Sequence, residues 1–192
     1  MSQVDLVHKL LDEGVLKTPR IIAAFKKIDR ADFVVDEYKG EAYGDYPLPI
    51  GYGQTISQPS TVALMLELLQ PAEGDKVLDV GSGSGWTTAL LAQIVGPKGK
   101  IFGLELVPEL VKFGRENIAR YNFPWAEIEQ AREVIGKPEE TPVNSAKSNV
   151  AMPICPKVGS GNPSSPSRSR KAFVPASFGS KMLPEITGRP SG

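Results

Sequence analysis

The chain has 192 residues, enough for one α/β domain with a core of its own. Apolar residues make up 41%, and 22 basic side chains balance 22 acidic ones, so a disordered chain is excluded. The longest apolar run, around Val62–Leu69, is too short to cross a bilayer and contains Glu67, which argues against a membrane protein.

The opening MSQVDLVHKLLDEG has early acids and no apolar core, so no signal peptide is expected and a cytoplasmic location follows. Cys155 is the single cysteine, so no internal disulfide is possible. Charge is unevenly divided. Residues 1–140 hold 15 Lys/Arg against 21 Asp/Glu, whereas residues 141–192 hold 7 Lys/Arg and only Glu185. An acidic body gives no reason to expect nucleic-acid binding.

In chain order, Val4, Val7, Leu10 and Leu11 have the spacing of one helix face, closed by Gly14. Thr18 and Pro19 suit the cap and first turn of a second helix with the stripe Ile21, Ile22, Phe25 and Ile28. An aromatic, Pro- and Gly-containing linker from Ala31 to Tyr52 shows no period, and so long an irregular stretch is more often functional than idle. A helix from Pro59 carries Val62, Met65, Leu66 and Leu69. Then come a strand at Lys76–Val80, a turn GSGSG (Gly81–Gly85) and a helix with Ala89, Leu90 and Ile94. A strand at Lys100–Leu104 ends against Glu105, a helix from Pro108 buries Leu110, Val111, Gly114 and Ile118, and Ala126–Gln130 is a weaker third strand. This βαβα order predicts an α/β fold with a parallel sheet, right-handed crossovers and flanking helices.

The strongest chemical signal is VLDVGSGSGW followed, 20 residues beyond Gly85, by Glu105. Glycines let backbone approach a ligand, the helix N-terminus offers unpaired N–H groups, and an acid ending the next strand accepts hydrogen bonds from ribose hydroxyls. A dinucleotide loop wants a third glycine at position 86, which is Trp86. The alternative for Gly81–Gly85 is a tight connection with no ligand.

A G-x-G-x-G loop after an acidic strand residue, Asp79, is similar to that of class I methyltransferases. Upstream, PLPIGYGQTISQPSTVALMLELL (Pro47–Leu69) resembles the segment preceding the glycine loop in protein-L-isoaspartate O-methyltransferases. RADFV (Arg30–Val34) is similar to that family's segment before its aromatic linker, and the resemblance runs over about residues 31–117. It implies a Rossmann-like class I methyltransferase sheet. It also implies methyl transfer from S-adenosylmethionine, with no metal, to the α-carboxylate of isoaspartyl residues in damaged proteins, by a monomer acting on peptides and proteins away from membranes.

By that resemblance Ser57 is the active-site hydroxyl, with Thr55 beside it. Gln54, Asp79, Gly81, Ser82, Gly83, Ser84, Gly85 and Glu105 hold the cofactor, and Leu48, Pro49 and Ile50 wall the isoaspartyl pocket. From spacing alone, Ser57 reads better as a helix cap before Gln58-Pro59, and it is the resemblance that reverses this. A carboxylate is already nucleophilic, so alignment and water exclusion suffice and no strong base is required. His8, the only histidine, reads as a surface residue.

The expected domain spans 1–140, with the N-terminal helices and linker over 1–58. After Thr141 the patterning stops: residues 141–192 hold 10 Ser, 8 Pro and 5 Gly, and a disordered basic tail is expected. Near Pro142 the family carries an apolar strand where this chain reads PVNSAKSNVAMPICPKV, a change that resembles translation in a shifted frame. The sheet is therefore expected to be incomplete on its C-terminal side, leaving its first strand with an open edge. Three alternatives follow: a remnant without catalysis, a class I methyltransferase with another acceptor, and, least favoured given Trp86, a nicotinamide-dependent dehydrogenase.

Overall fold

A computed structural model describes residues 1–131 and the backbone of residues 149–152. Helices α1 (Gln3–Asp12) and α2 (Pro19–Lys27) open the chain. Ser2 and Asp5 start α1 reciprocally: the Asp5 N–H donates to Ser2 Oγ at 3.2 Å and the Ser2 N–H to the Asp5 carboxylate at 2.8 Å. The buried residues are Leu6, Val7 and Leu10, while Val4, expected on that face, is exposed. Thr18 stands at the cap of α2 without a side-chain cap bond. Instead Glu67 accepts from the Lys17 and Thr18 N–H groups at 2.8 Å each and from Thr18 Oγ1 at 2.6 Å. The carboxylate that caps α2 thus comes from 49 residues downstream, beyond any local pattern.

The aromatic linker is ordered. It forms 3₁₀ turns at Arg30–Phe33 and Asp36–Glu41, then an antiparallel hairpin of β1 (Leu48–Gly51) and β2 (Gln54–Ile56). Helix α3 (Pro59–Leu69) follows, with Gln58 at its cap and no side-chain cap bond there. Its cap is supplied by Asp45, whose Oδ1 accepts from the Ser60 N–H at 2.8 Å. Ser57 is therefore not the helix cap, and that alternative is corrected.

The main sheet contains β3 (Lys76–Val80), β4 (Lys100–Glu105), β5 (Ala126–Gln130) and β6 (Asn149–Met152) in the order β5-β4-β3-β6, all pairings parallel. Helices α4 (Trp86–Val95) and α5 (Pro108–Ala119) make the crossovers between β3 and β4 and between β4 and β5. β3 and β5 have the bounds expected from sequence, and β4 runs one residue further, to Glu105. β6 was not expected. Its backbone pairs with Lys76–Asp79, so over those residues the edge of β3 is covered rather than open. A ladder needs only main-chain donors and acceptors, so four residues without an apolar period can form one.

The chain thus builds outward from β3 through β4 to β5 and then returns to its other side. In open α/β sheets ligands bind at such a reversal, beyond the carboxyl ends of the strands. Behind it, α4 is buried on nearly every side, including Leu90, Leu91 and Ala92, and packs against both the sheet and α2. A helix apolar all round belongs in a core, where each buried Leu contributes about 1.5–3 kcal/mol.

No helix among the described residues is long and apolar enough to cross a membrane. The expected tail beyond residue 152, Cys155 and the reading-frame hypothesis lie outside the described residues.

Candidate functional site

The loop after β3 takes positive φ at Gly81 (79°), Gly83 (52°) and Gly85 (88°). The N–H groups of Gly81 and Ser82 both donate to the Leu104 carbonyl, at 2.7 and 3.1 Å, tying the loop to the end of β4. From α5, buried Asn117 donates Nδ2 to the Ser84 carbonyl at 2.9 Å. A Cβ on Gly85 would lie 3.0 Å from the Gly114 carbonyl oxygen, and one on Gly114 would lie 2.9 Å from that of Gly83. Backbone packs on backbone here, which only glycine permits. The side of Gly85 on which a Cβ would stand is packed against α5 and Ile128.

Glu105 ends β4, 7% exposed. Its Oε1 accepts from the Leu106 and Val107 N–H groups at 2.7 and 3.0 Å, and its Oε2 from the Gly83 N–H at 2.9 Å. The carboxylate so bridges the two strand ends while keeping acceptor capacity on Oε2. Asp79 lies behind the loop, fully enclosed, and accepts from Thr88 Oγ1 at 2.6 Å. Burial pushes its carboxyl up to about 6, against the Thr88 hydrogen bond and with the help of the Glu105 charge.

These strand ends open into a cleft of about 280 Å³. One wall is Gly81–Ser84 with Val80, Leu104 and Glu105; Leu106 and Val107 continue it. The same cleft is lined by Tyr52 and Gln54–Ser57 from the hairpin segment, with Trp86 and Thr87 at the start of α4. Of the residues singled out from sequence, the cleft brings together Gln54, Thr55, Ser57, Gly81, Ser82, Gly83, Ser84 and Glu105. Asp79 and Gly85 support the loop from behind. Leu48 and Ile50 are buried, Ile50 Cδ1 lying 3.3 Å from a Cβ built on Gly83, and Pro49 is exposed; none of the three lines this cleft.

Sequence reasoning missed Arg30. It is fully buried, donates Nη1 to the carbonyls of Ala42 (2.6 Å) and Gly44 (3.2 Å), and donates Nη2 to those of Tyr46 (3.0 Å) and Ser57 (3.1 Å). Its guanidinium lies 5.3 Å over the Trp86 ring, and burial lowers its pKa to about 10. One cation thereby fixes the linker, the hairpin and the first turn of α4 relative to one another. Asn117 and Thr88 were missed too; both are polar residues on otherwise apolar helix faces, and no spacing rule marks them. Among the described residues, no group of three His, Cys, Asp or Glu side chains is placed to hold a metal ion.

The sequence model described as protein-L-isoaspartate(D-aspartate) O-methyltransferase matches residues 1–158. The protein-L-isoaspartate O-methyltransferase of Aeropyrum pernix is 41% identical over 157 residues, covering 81% of this chain and 60% of the relative. Protein-L-isoaspartate O-methyltransferase 2 of Archaeoglobus fulgidus is 43% identical over 138 residues, covering 72% and 63%. Among solved structures, a protein-L-isoaspartate O-methyltransferase superposes with a TM-score of 0.68 at 26% identity, covering 78% of this chain and 47% of that one. A Plasmodium falciparum relative of the same description, in complex with S-adenosyl-L-homocysteine, gives a TM-score of 0.57 at 31% identity, covering 62% and 56%. The chain spans about 60% of the length of these curated relatives. With the match beginning at residue 1 and running through loop, hairpin and sheet, the chain belongs to the protein-L-isoaspartate(D-aspartate) O-methyltransferase family.

Proposed function

We propose that the cleft binds S-adenosylmethionine and that the chain transfers its methyl group to the α-carboxylate of L-isoaspartyl residues in peptides and proteins, a repair reaction. The observation that carries this is a single cleft lined both by the glycine loop with Glu105 and by Gln54–Ser57. The residues present suit the cofactor. Ser82 and Trp86 line the cleft, and each keeps a buried polar atom without a partner among the described residues. Glu105 Oε2 has acceptor capacity for a ribose hydroxyl, and Leu106 and Val107 offer an apolar wall beside it. When bound, the cofactor supplies an electrophilic methyl carried on sulfur.

The chain's own contribution is placement. Arg30 fixes the Ser57 main chain, and the Ser57 hydroxyl is the group that would donate to the acceptor carboxylate. Tying the loop to β4 and α5 lowers the freedom lost on binding. No general base is needed, and His8 is exposed on α1, outside the cleft. A monomer in the cytoplasm belongs to the same proposal.

The test is transfer of labelled methyl to an isoaspartyl peptide beside its aspartyl twin. Label should appear on the isoaspartyl peptide only. Ser57→Ala should lower turnover roughly ten- to hundredfold, the worth of one hydrogen bond to a charged group, and leave S-adenosylhomocysteine affinity within about twofold. A second proposal is a chain that binds the cofactor without transfer, favoured by the absence of a family match to residues 159–192. Label on neither peptide, with cofactor still bound, would select it.

A further inference from the structure

The turn between β1 and β2 is Gly51-Tyr52-Gly53, with φ of 91°, 54° and 68° in succession. Glycine takes such angles without penalty, but a tyrosine there costs on the order of 1 kcal/mol or more. Packing within the chain does not force it. A Cβ at Gly51 or Gly53 would meet nothing within 4 Å, so the turn stands clear of the body. Tyr52 itself is 61% exposed, and its hydroxyl makes no hydrogen bond among the described residues. Yet its side chain lines the cleft, two residues before Gln54 and on the hairpin that carries Thr55 and Ser57.

A strained, exposed aromatic residue at the mouth of a cleft is accounted for by something that arrives there. Two ligands meet in this cleft under the proposed function. The nucleoside is bounded by Glu105 and its neighbours Leu106 and Val107, on the wall belonging to the sheet. Tyr52 belongs to the hairpin that carries the hydroxyls assigned to the acceptor. A polypeptide acceptor also extends past its reacting residue in both directions, and an open aromatic face suits peptide planes and apolar side chains.

We infer that Tyr52 is a specificity-determining residue that contacts the acceptor polypeptide beside the isoaspartyl residue, through its ring rather than its hydroxyl. This rests on the proposed methyl transfer, and its consequence is a preference for acceptors with flanking residues over a minimal isoaspartyl acceptor.

The experiment uses the full chain and the variants Tyr52→Ala and Tyr52→Phe. Being exposed, the position tolerates both. An isoaspartyl hexapeptide is titrated into protein saturated with S-adenosylhomocysteine, and S-adenosylhomocysteine is titrated separately. Tyr52→Ala should weaken hexapeptide binding roughly five- to twentyfold, the range of one aromatic contact, while Tyr52→Phe stays near wild type. S-adenosylhomocysteine affinity should be unchanged in both. In turnover, Tyr52→Ala should raise KM for the hexapeptide at constant kcat and leave a minimal acceptor unaffected.

Equal hexapeptide affinity in wild type and Tyr52→Ala would overturn the inference, as would failure of the wild type to bind hexapeptide. A loss confined to S-adenosylhomocysteine affinity would overturn it as well, assigning the ring to the nucleoside. Failure of the proposed function shows separately, as absent methyl transfer by a wild type that still binds hexapeptide.

Discussion

At the scale of single residues, the site is governed by two carboxylates with different surroundings. Glu105 is held by three backbone N–H donors at the cleft wall, whereas Asp79 is sealed behind it with one hydroxyl donor. Asp79 has a folded-state pKa of about 6 against an ordinary 3.8. Its ionised form therefore costs the folded state roughly 3 kcal/mol at neutral pH. Between about pH 6 and pH 4 the folded state binds the proton first, so this term makes stability rise as pH falls. Asp79→Asn is neutral throughout and its side-chain oxygen still accepts from Thr88. The variant should gain stability over wild type at pH 7.5, and the gain should shrink toward pH 4.5, as read by denaturant unfolding. A gain independent of pH would contradict the assignment. The cofactor role proposed for Glu105 was readable beforehand, but the sealed position of Asp79 was not. Asp79 and Glu105 were both assigned to the cofactor, because a sequence shows that acids follow strands but not which one the loop covers. Arg30 escaped notice for a related reason: its partners are four main-chain carbonyls, which leave no mark on residue type.

At the scale of elements, the glycine loop owes its position to α5 as much as to its own glycines. Gly114 lies within α5, where alanine would ordinarily be favoured by about 1 kcal/mol. Here the added Cβ would sit 2.9 Å from the Gly83 carbonyl oxygen and 2.9 Å from Ile128 Cδ1, and backbone has little room to yield. Gly114→Ala should therefore lower stability by roughly 1–3 kcal/mol and weaken S-adenosylhomocysteine binding. Increased thermal stability of this variant would show that the contact is loose. β3 and α5 were readable because glycine and proline punctuate them and their apolar residues keep a period. The hairpin was not. β2 has three residues, Pro49 interrupts β1, and the turn is closed by a tyrosine where glycine or asparagine is the usual signal. The cap of α3 was misplaced because it comes from Asp45, across the hairpin, and not from the residue beside the helix.

At the scale of the whole molecule, strand order carries function into place. β3 and β4 end at the cleft, and the return of the chain to β6 on the far side of β3 makes those ends the point where the sheet reverses. The α/β class and the parallel sheet followed from alternating punctuation and apolar runs. The position of β6 did not, because its four residues lack the alternation that marks a strand, and the family match reaches residue 158, well beyond the resemblance visible up to residue 117. The measurement that tests the central claim most directly is calorimetric titration of S-adenosylhomocysteine into the full chain and into Glu105→Ala. Saturable one-to-one binding by the wild type, weakened roughly ten- to hundredfold in the variant, is the predicted result. No binding by a folded wild type, or equal binding by both, would contradict the assignment of this cleft to the cofactor.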